Sequence, residues 1–420
     1  MLTSICGINW GDEGKGRMVD LLSRDFDIVC RYQGGNNAGH TVINERGKFI
    51  LNLLPSGILR EEVVNILGCG MVIDLKHLCG EIEKLRSAGI KITPENLKIS
   101  DKAVITMPYN VLQDVMEEDR LSKATGKPYG STRRGIAPVY ADKYMKKAFR
   151  MGELLNTKLM FRRLPDIVAW KNLTVTAYGY DPVKVEDMED YFRTYGEPLK
   201  EFITDTGVYL NEAHKAGKKI MFEAQLGALR DIDYGIVPYT SSSSTIAAGV
   251  PNLKLDKSIG IMKAYSSCVG AGPFTCEYFG EQAEKLRELG GEYGAATGRP
   301  RRVGPFDVVA SRYGIRCQGA DEIALTKLDV LDDYEEIEIC THYELDGKRL
   351  DEFPFTDVLD YCKPVFEKVK GWHCDISKCR KPEDLPKEAL DYIKLLEKLC
   401  DCRIRYVSVG AEREACIKMY

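Results

Sequence analysis

The chain has 420 residues, of which 44% are hydrophobic and 29% are charged, and its formal net charge at pH 7 is −4. This composition excludes a disordered chain and is typical of a globular protein with a large apolar core. The slightly acidic balance excludes a basic field over the whole molecule, so we expect a small-molecule ligand and no nucleic acid.

The sequence also constrains location and domain number. It contains no apolar run of about 18 residues or more, and residues 1–16 lack the features of a secretory signal, so we expect a cytoplasmic protein without membrane contact. Its 14 cysteines do not form sets at zinc-site spacing, which favours reduced thiols. No linker or repeat divides the chain, and we expect one elaborated domain over residues 1–420.

Short β-branched runs alternate with segments of helical period along the chain. LTSIC predicts a strand before a glycine-rich loop, and GRMVDLLSRD predicts the helix after that loop. DIVCRY predicts a strand that ends at QGGNNAGH, and VVNILG predicts a strand before the helix DLKHLCGEIEKLRSAG, which Gly89 ends. Near the C-terminus, EIALTKLDVL predicts a buried strand, Asp384 an N-cap for the helix LPKEALDYIKLLEKLC, and RIRYVSVG a last strand.

This alternation predicts an α/β fold. We expect a large, mostly parallel central sheet with flanking helices and inserted subdomains, and functional sites at the carboxyl ends of its strands. The first loop makes the fold similar to that of P-loop proteins, but a Walker A motif is absent.

The first loop, GINWGDEGKGRMVD at residues 7–20, has the features of a phosphate site. Glycines around Lys15 let backbone N–H groups and a helix N-terminus approach an anion. Asn9 occupies the position of the first Walker A glycine, and Gly16 replaces the hydroxyl residue that would hold Mg²⁺. Asp12 can take over that role, although an ordinary glycine turn with a solvated acid and lysine is the alternative.

The segment QGGNNAGHTV follows the next strand. So many glycines are costly to fold unless the backbone must approach a ligand. We expect His40 at the same sheet edge as Asp12, as an acid or as a donor to phosphate oxygen, although a lone histidine is usually a packed or surface residue.

Three further segments carry polar groups suited to nucleotides or carboxylates. Asp329 in TKLD can accept hydrogen bonds from two donors of guanine, with Lys327 along the base, although a strand-end salt bridge fits equally. Arg299, Arg301 and Arg302 in GRPRR suit bidentate binding of carboxylate or phosphate. The hydroxyl groups of Ser131 and Thr132, with Arg133 and Arg134, in GSTRRGIAP suit binding of phosphate. The alternative for GRPRR is a solvated basic loop.

Taken together, these segments resemble the adenylosuccinate synthetase family, whose members join IMP and L-aspartate with GTP. The resemblance covers nearly the whole chain in order: WGDEGKG, QGGNNAGHTV, LPSGIL, GSTRRGIAP, DIDYG, AYSSCVGAGPF, TGRPRR, LTKLDVLD and VSVGAERE.

The resemblance implies a role for each matching position. For catalysis it implies Asp12, Lys15 and His40. For GTP it implies Gly11, Asp12, Glu13, Gly14, Lys15, Gly16, Gly39, His40, Thr41, Lys327, Leu328, Asp329, Ser408 and Gly410. For IMP it implies Asp12, Asn37, Ala38, Gly39, His40, Thr132, Arg134, Lys146, Gln225, Thr240, Ser241 and Arg301. For aspartate it implies Thr297, Gly298, Arg299 and Arg301, and for one Mg²⁺ per subunit Asp12 and the Gly39 carbonyl.

These positions, apart from Gln225, Thr240 and Ser241, fall in five segments of the single domain. The nucleotide and IMP loops lie at 7–41 and 125–150, the aspartate loop at 294–304, and the guanine-binding part at 323–332 and 405–413.

The implied reaction is the first committed step of AMP synthesis. The γ-phosphoryl group of GTP passes to O6 of IMP while Asp12 removes the N1 proton, and the amine of aspartate then displaces phosphate to give adenylosuccinate. The resemblance also implies a homodimer with shared active sites, in which Lys146 matches an arginine that reaches the partner's IMP phosphate.

The sequence departs from the family pattern at three places. EAQLG puts Gln225 one position early and Leu226 where the family has the glutamine that contacts IMP, and PYTSSSS replaces a P-Y-V-T-S-S-N run. Lys146 keeps the charge of the family's arginine but loses its bidentate fork.

Two other functions stay open on the residues alone. The acceptor could be a 2-amino purine nucleotide such as GMP or dGMP, which the presence of Asp12, suited to the N1 proton of IMP, does not exclude. The protein could instead be a GTP-binding regulator without a product, but such a protein would not need the Arg299 and Arg301 loop.

Overall fold

The centre of the fold is a large sheet whose strands are buried apolar runs, as is typical of parallel strands covered on both faces. The computed structural model describes residues 1–44, 47–126, 129–247, 253–294 and 298–420. Its strands are β1 (Leu2–Gly7), β2 (Ile28–Gly34), β3 (His40–Asn44), β4 (Gly47–Leu51), β5 (Val64–Asp74), β6 (Leu97–Ser100), β7 (Val104–Thr106), β8 (Ile203–Thr204), β9 (Ile220–Glu223), β10 (Lys257–Lys263), β11 (Ser266–Cys268), β12 (Arg302–Gly304), β13 (Phe306–Asp307), β14 (Glu322–Thr326), β15 (Glu336–Leu345), β16 (Lys348–Leu350), β17 (Lys363–Lys370), β18 (Ile404–Ser408) and β19 (Cys416–Lys418).

Helices connect most of these strands. They are α1 (Lys15–Leu22), α2 (Leu75–Ser87), α3 (Pro108–Thr125), α4 (Ile136–Tyr144), α5 (Thr157–Ala177), α6 (Val185–Tyr191), α7 (Thr206–Lys215), α8 (Gly280–Gly290), α9 (Val308–Gln318), α10 (Thr356–Leu359) and α11 (Lys387–Cys400). Among the described residues, none of the helices combines the length and apolar character needed to cross a bilayer.

The predicted mostly parallel α/β sheet is confirmed. The strand order is β19-β18-β14-β10-β1-β9-β2-β5-β6-β8, with β7 paired to β5, and each of these pairs is parallel except β18 with β19. Smaller sheets, formed by β3 with β4, β11 with β12, and β13 with β15 to β17, are inserted between its strands. Parallel pairing brings the carboxyl ends of β1, β2, β9, β10, β14 and β18 to one edge, where the loops that follow them meet.

Helix α2 illustrates how the local sequence sets an element. The Asp74 carboxylate accepts a hydrogen bond from the backbone N–H of His77 at 3.0 Å and so caps the first turn. The predicted apolar face is buried, including Leu78 and Ile82, and Gly89 follows the helix in a left-handed conformation with φ +80°.

Two local predictions were wrong. The strand predicted over EIALTKLDVL ends at Thr326, because Lys327 is left-handed with φ 58° and Leu328–Leu331 form a 3₁₀ turn. Asp384 does not cap α11, since its carboxylate accepts from the backbone N–H groups of Arg380 and Lys381 at 2.9 and 3.0 Å, and Pro386 is the N-cap residue.

Candidate active site

A cleft of about 1190 Å³ lies where the loops at the carboxyl edge of the sheet meet. Most of the residues singled out from the sequence line it, although they come from distant parts of the chain. They are Asp12, Glu13, Gly14, Lys15, Gly16, Asn37, Ala38, Gly39, His40, Thr41, Thr132, Thr240, Ser241, Arg301, Lys327, Asp329, Ser408 and Gly410.

The loop after β1 has the backbone of an anion site. Gly11, Asp12 and Gly14 are left-handed, with φ of 97°, 58° and 93°. The Glu13 carboxylate lies beneath the loop, accepts from the backbone N–H of Gly11 at 2.8 Å, and forms a buried ion pair with Lys15 at 2.6 Å. The loop is therefore fixed from below, while the Asp12 side chain, 36% exposed, faces the cleft.

His40 is held against this loop by Glu223, a residue that the motifs did not indicate. Nδ1 of His40 lies 2.5 Å from Oε1 of Glu223, and the same carboxylate accepts from the Ser56 hydroxyl at 2.7 Å and its backbone N–H at 2.8 Å. Gly16 permits this approach, because a Cβ there would lie 2.7 Å from Cβ of His40.

The protonation of this pair follows from its burial. Burial lowers the pKa of the His40 imidazole and outweighs the opposing effect of Glu223. Burial alone would raise the pKa of the Glu223 carboxyl, but His40 and Arg31 outweigh it and hold this pKa below its ordinary value. A neutral imidazole beside a carboxylate donates from Nδ1, so Nε2 is the ring nitrogen without a proton.

Arg301 connects the acid of the first loop to the far side of the cleft. Its Nε lies 3.2 Å from Oδ2 of Asp12, and its Nη1 lies 2.7 Å from Oε2 of Glu292, a buried carboxylate that the motifs also did not indicate. Arg301 is only 12% exposed; its Nη1 donates a hydrogen bond to Glu292, whereas its Nε forms an ion pair with Asp12 without a hydrogen bond. Its neighbour Arg302 instead pairs with Glu277 at 2.5 Å.

The opposite end of the cleft contains Asp329. Its buried Oδ1 makes no hydrogen bond to the described residues, and burial raises the pKa of its carboxyl. A buried acceptor without a partner is costly, which points to a ligand that donates to it.

The loop after β18 completes this end, and α1 holds it in place. Arg17 of α1 donates to the Ser408 hydroxyl and to the carbonyls of Glu412 and Ala415, the last two at 2.6 and 2.9 Å. Arg413 donates to both oxygens of Asp20 at 2.7 and 2.8 Å. The sequence offered little indication of these contacts, because Arg17 in the first loop motif is indistinguishable from an ordinary helix residue.

Some predicted residues lie outside the cleft lining. Gln225 is fully buried behind the wall, where its Oε1 accepts from Arg31 at 2.6 Å and its Nε2 donates to Oδ1 of Asn37 at 2.5 Å, while Leu226, with φ 63°, lines the cleft. Gly11 and Leu328 are buried beneath the lining, and Arg134, Lys146, Gly298 and Arg299 are exposed outside it. Thr297 lies outside the described residues.

The comparisons with known proteins point to one family. The family model for adenylosuccinate synthetase matches residues 4–417. The adenylosuccinate synthetase of Caldanaerobacter subterraneus is 42% identical over 425 residues, which cover 99% of this chain and 98% of that protein. A solved structure of fully ligated adenylosuccinate synthetase from Plasmodium falciparum has a TM-score of 0.93 and 35% identity, and the match covers 100% of this chain and 99% of that one.

A solved structure of lower sequence identity has the same fold. The succinoaminodeoxyadenylate synthetase of cyanophage S-2L, bound to dGMP and dATP, is 17% identical with a TM-score of 0.60, and the match covers 100% of this chain and 95% of that one. That likeness shows a common fold alone. The family model and the more similar relatives carry the assignment: this chain is an enzyme of the adenylosuccinate synthetase family.

Proposed function

We propose that this enzyme ligates L-aspartate to IMP with GTP and that the reaction passes through 6-phosphoryl-IMP. The observation that carries the proposal is the position of Asp12, whose carboxylate lies in the anion loop and 3.2 Å from Arg301 across the cleft. Membership of the family supports ligation of IMP and aspartate, and the intermediate and the residue roles are our inference.

Asp12 is the base in the first step. The 6-oxo group of IMP leaves poorly, so it must first be phosphorylated. Removal of the N1 proton by Asp12 makes O6 nucleophilic, O6 forms a bond to the γ-phosphorus, and the bond from that phosphorus to the β–γ bridging oxygen breaks to release GDP. The exposed carboxylate in the anion loop is suited to a base that works where the γ-phosphate meets the purine.

Lys15 and His40 neutralise charge in this transfer. The loop amides and Lys15 bind GTP phosphate, with Gly11, Glu13, Gly14, Gly16, Gly39 and Thr41 around them. His40 donates from its ring to a phosphoryl oxygen once the anionic substrates favour the doubly protonated form, which the Glu223 carboxylate stabilises.

The donor set in the cleft fits one Mg²⁺ held jointly with phosphate. Mg²⁺ usually takes one or two carboxylates and completes its shell with water and phosphate oxygens. Asp12 and the Gly39 carbonyl provide this kind of incomplete protein set, and the described residues contain no cluster of three His, Cys, Asp or Glu side chains. When bound, the ion would polarise the γ-phosphoryl group and offset its negative charge.

In the second step, the amine of aspartate forms a bond to C6, the bond from C6 to the phosphorylated O6 breaks, and phosphate leaves. Arg301 binds the carboxylate of aspartate and the adjacent part of IMP, together with Thr297, Gly298 and Arg299. The remaining contacts to IMP come from Asn37, Ala38, Thr132, Arg134, Thr240 and Ser241. Gln225 is buried behind the wall and acts through Asn37, to which its amide donates. The buried guanidinium of Arg301, fixed by Glu292, supports its part in binding both molecules.

Asp329 reads the base of GTP. Its Oδ1, which makes no hydrogen bond to the described residues, is suited to the donors of guanine. Lys327, Ser408 and Gly410 surround the ring, and Leu328 supports them from beneath the cleft lining. We also propose that the protein is a cytoplasmic homodimer and that residues 1–420 of each subunit form one domain. In this dimer, Lys146 binds the IMP phosphate of the partner subunit. The exposure of Lys146 outside its own cleft supports this.

The proposed function is tested by leaving out one substrate at a time. Purified enzyme with Mg²⁺ should release GDP and phosphate and form adenylosuccinate only when GTP, IMP and aspartate are all present. Parallel reactions replace IMP by GMP or dGMP and should give no product. Steady GTP hydrolysis without IMP or aspartate would favour a GTP-binding regulator over a ligase. Faster turnover with GMP or dGMP than with IMP would show that a 2-amino purine nucleotide is the acceptor.

A further inference from the structure

One buried carboxylate holds cations from both ends of the cleft. Glu292 is 0% exposed and follows α8. Its Oε1 lies 2.8 Å from the Lys327 ammonium, its Oε2 lies 2.7 Å from Nη1 of Arg301, and the Lys263 ammonium lies 2.7 and 2.9 Å from its two oxygens. The Tyr265 hydroxyl donates to Oε1 at 2.5 Å.

Of the carboxylates in the described residues, Glu292 is the one that all three cations share. Burial alone would raise the pKa of its carboxyl, but Lys263, Lys327 and Arg301 outweigh it and hold this pKa well below its ordinary value. Three cations around one carboxylate would repel one another if that carboxylate became neutral, and buried like charges are screened little by solvent.

The two outer cations belong to different parts of the cleft. Lys327 follows β14 and stands two residues before Asp329, the residue that we propose reads guanine, and its ammonium also donates to the Gly290 carbonyl at 2.5 Å. Arg301 precedes β12 and contacts Asp12, beside the proposed acceptor site. Lys263, at the end of β10, contacts the same carboxylate and is itself almost fully buried.

We infer that Glu292 is a positioning residue that fixes Lys327 and Arg301 through one carboxylate and so sets the affinity of the enzyme for GTP and for aspartate together. This inference rests on the proposed function. Loss of its charge leaves Lys327 and Lys263 without this counterion and leaves Arg301 with Asp12 alone, so Lys327 and Arg301 both lose the contact that fixes them.

The test compares Glu292→Gln with wild type and with Asp307→Asn. Asp307 is also 0% exposed and accepts from the Tyr343 hydroxyl at 2.6 Å, but it does not line the cleft. We expect Glu292→Gln to raise KM for GTP and KM for aspartate each by about tenfold or more, and Asp307→Asn to change either KM by less than about twofold. A merely structural role would lower the active fraction and kcat, and both KM values would stay as they are.

Two results would overturn the inference: a folded Glu292→Gln enzyme in which only one KM or neither rises, or an equal rise of both in Asp307→Asn. If Glu292→Gln does not fold, Tyr265→Phe decides, because it removes one donor to Glu292 without a change of charge. It should raise both KM values by about twofold or more, and unchanged values would overturn the inference. Adenylosuccinate formation by wild type tests the proposed function separately.

Discussion

Oδ2 of Asp12 lies 3.2 Å from Nε of Arg301, although one residue follows the first strand of the sheet and the other lies nearly three hundred residues later in the chain. The contact joins the anion loop to the basic loop before β12. Within one cleft, it places Asp12, the proposed base, beside Arg301, which we propose binds the acceptor.

Replacement of Asp12 by asparagine should abolish turnover and leave a folded protein. The amide is neither a base nor a strong ligand for Mg²⁺. We expect kcat below about a tenth of the wild-type value, a loss above ~1.4 kcal/mol in transition-state stabilisation, with an unchanged melting temperature. Asp351→Asn, an exposed acid paired with Arg349, is the matched control and should keep wild-type kcat. Higher activity in Asp12→Asn would refute the base role.

Asp329→Asn should change which nucleotide is preferred. A carboxylate can accept from both donors of guanine, whereas an amide cannot, and xanthine presents an acceptor at C2 that the amide N–H can meet. We expect kcat/KM for GTP to fall by an amount that corresponds to a loss of transition-state stabilisation on the order of 2–4 kcal/mol. XTP should become the better substrate. The values for GTP, XTP and ATP are compared at saturating IMP and aspartate.

ATP should stay a poor substrate of both proteins, and the exposed neighbour Asp333→Asn should keep the wild-type preference. A persistent preference for GTP in Asp329→Asn would mean that Asp329 does not read the base.

Lys146→Ala should raise KM for IMP more than KM for GTP. Lys146 has φ 62° and lies exposed outside its own cleft, as expected of a residue that serves a neighbouring subunit. Lys147→Ala is the control, because that ammonium lies 4.5 Å over the Trp170 ring of its own chain. Equal effects of Lys146→Ala on both substrates, or an active enzyme that sediments strictly as a monomer, would argue against a shared site.

The burial of His40 predicts how stability depends on pH. Burial lowers its pKa in the folded state, so the unfolded chain, with an ordinary histidine pKa of about 6.5, binds the proton more readily. The free energy of unfolding should therefore fall as pH decreases from about 7.5 to about 5.5. Urea titrations should give a shallower fall for His40→Asn than for wild type.

The exposed His214 in α7 is the control, and His214→Asn should reproduce the wild-type slope. A fall in His40→Asn that is as steep as in wild type would show that the titration of His40 does not contribute.

Much of the fold followed from local patterns. Parallel strands buried on both faces form continuous apolar runs such as LTSIC, and the Asp74 cap and Gly89 bound α2 as the sequence suggests. The turn at Lys327 was missed because the apolar residues Leu328, Val330 and Leu331 continue the pattern of a strand after the chain has left the sheet. Their burial is set by tertiary packing, which local periodicity does not specify.

The loops of the candidate site could be predicted from the sequence, but the buried residues that hold them in place could not. Most of the residues predicted from the sequence line the cleft, because the segments that follow strands meet at one edge of the sheet. Glu223 and Glu292 were missed, since each acts through a partner far away in sequence, His40 in one case and Arg301 in the other. The burial of Gln225 depends likewise on Arg31 and Gly35, whose positions only the folded sheet defines.

The most direct test of the account follows the oxygen at C6 of IMP. IMP labelled with ¹⁸O at that position is converted with GTP and aspartate in unlabelled water, and the released phosphate is examined by mass spectrometry. If O6 attacks the γ-phosphorus and leaves with it, each phosphate carries one ¹⁸O atom. Unlabelled phosphate, with solvent oxygen in its place, would contradict a 6-phosphoryl-IMP intermediate.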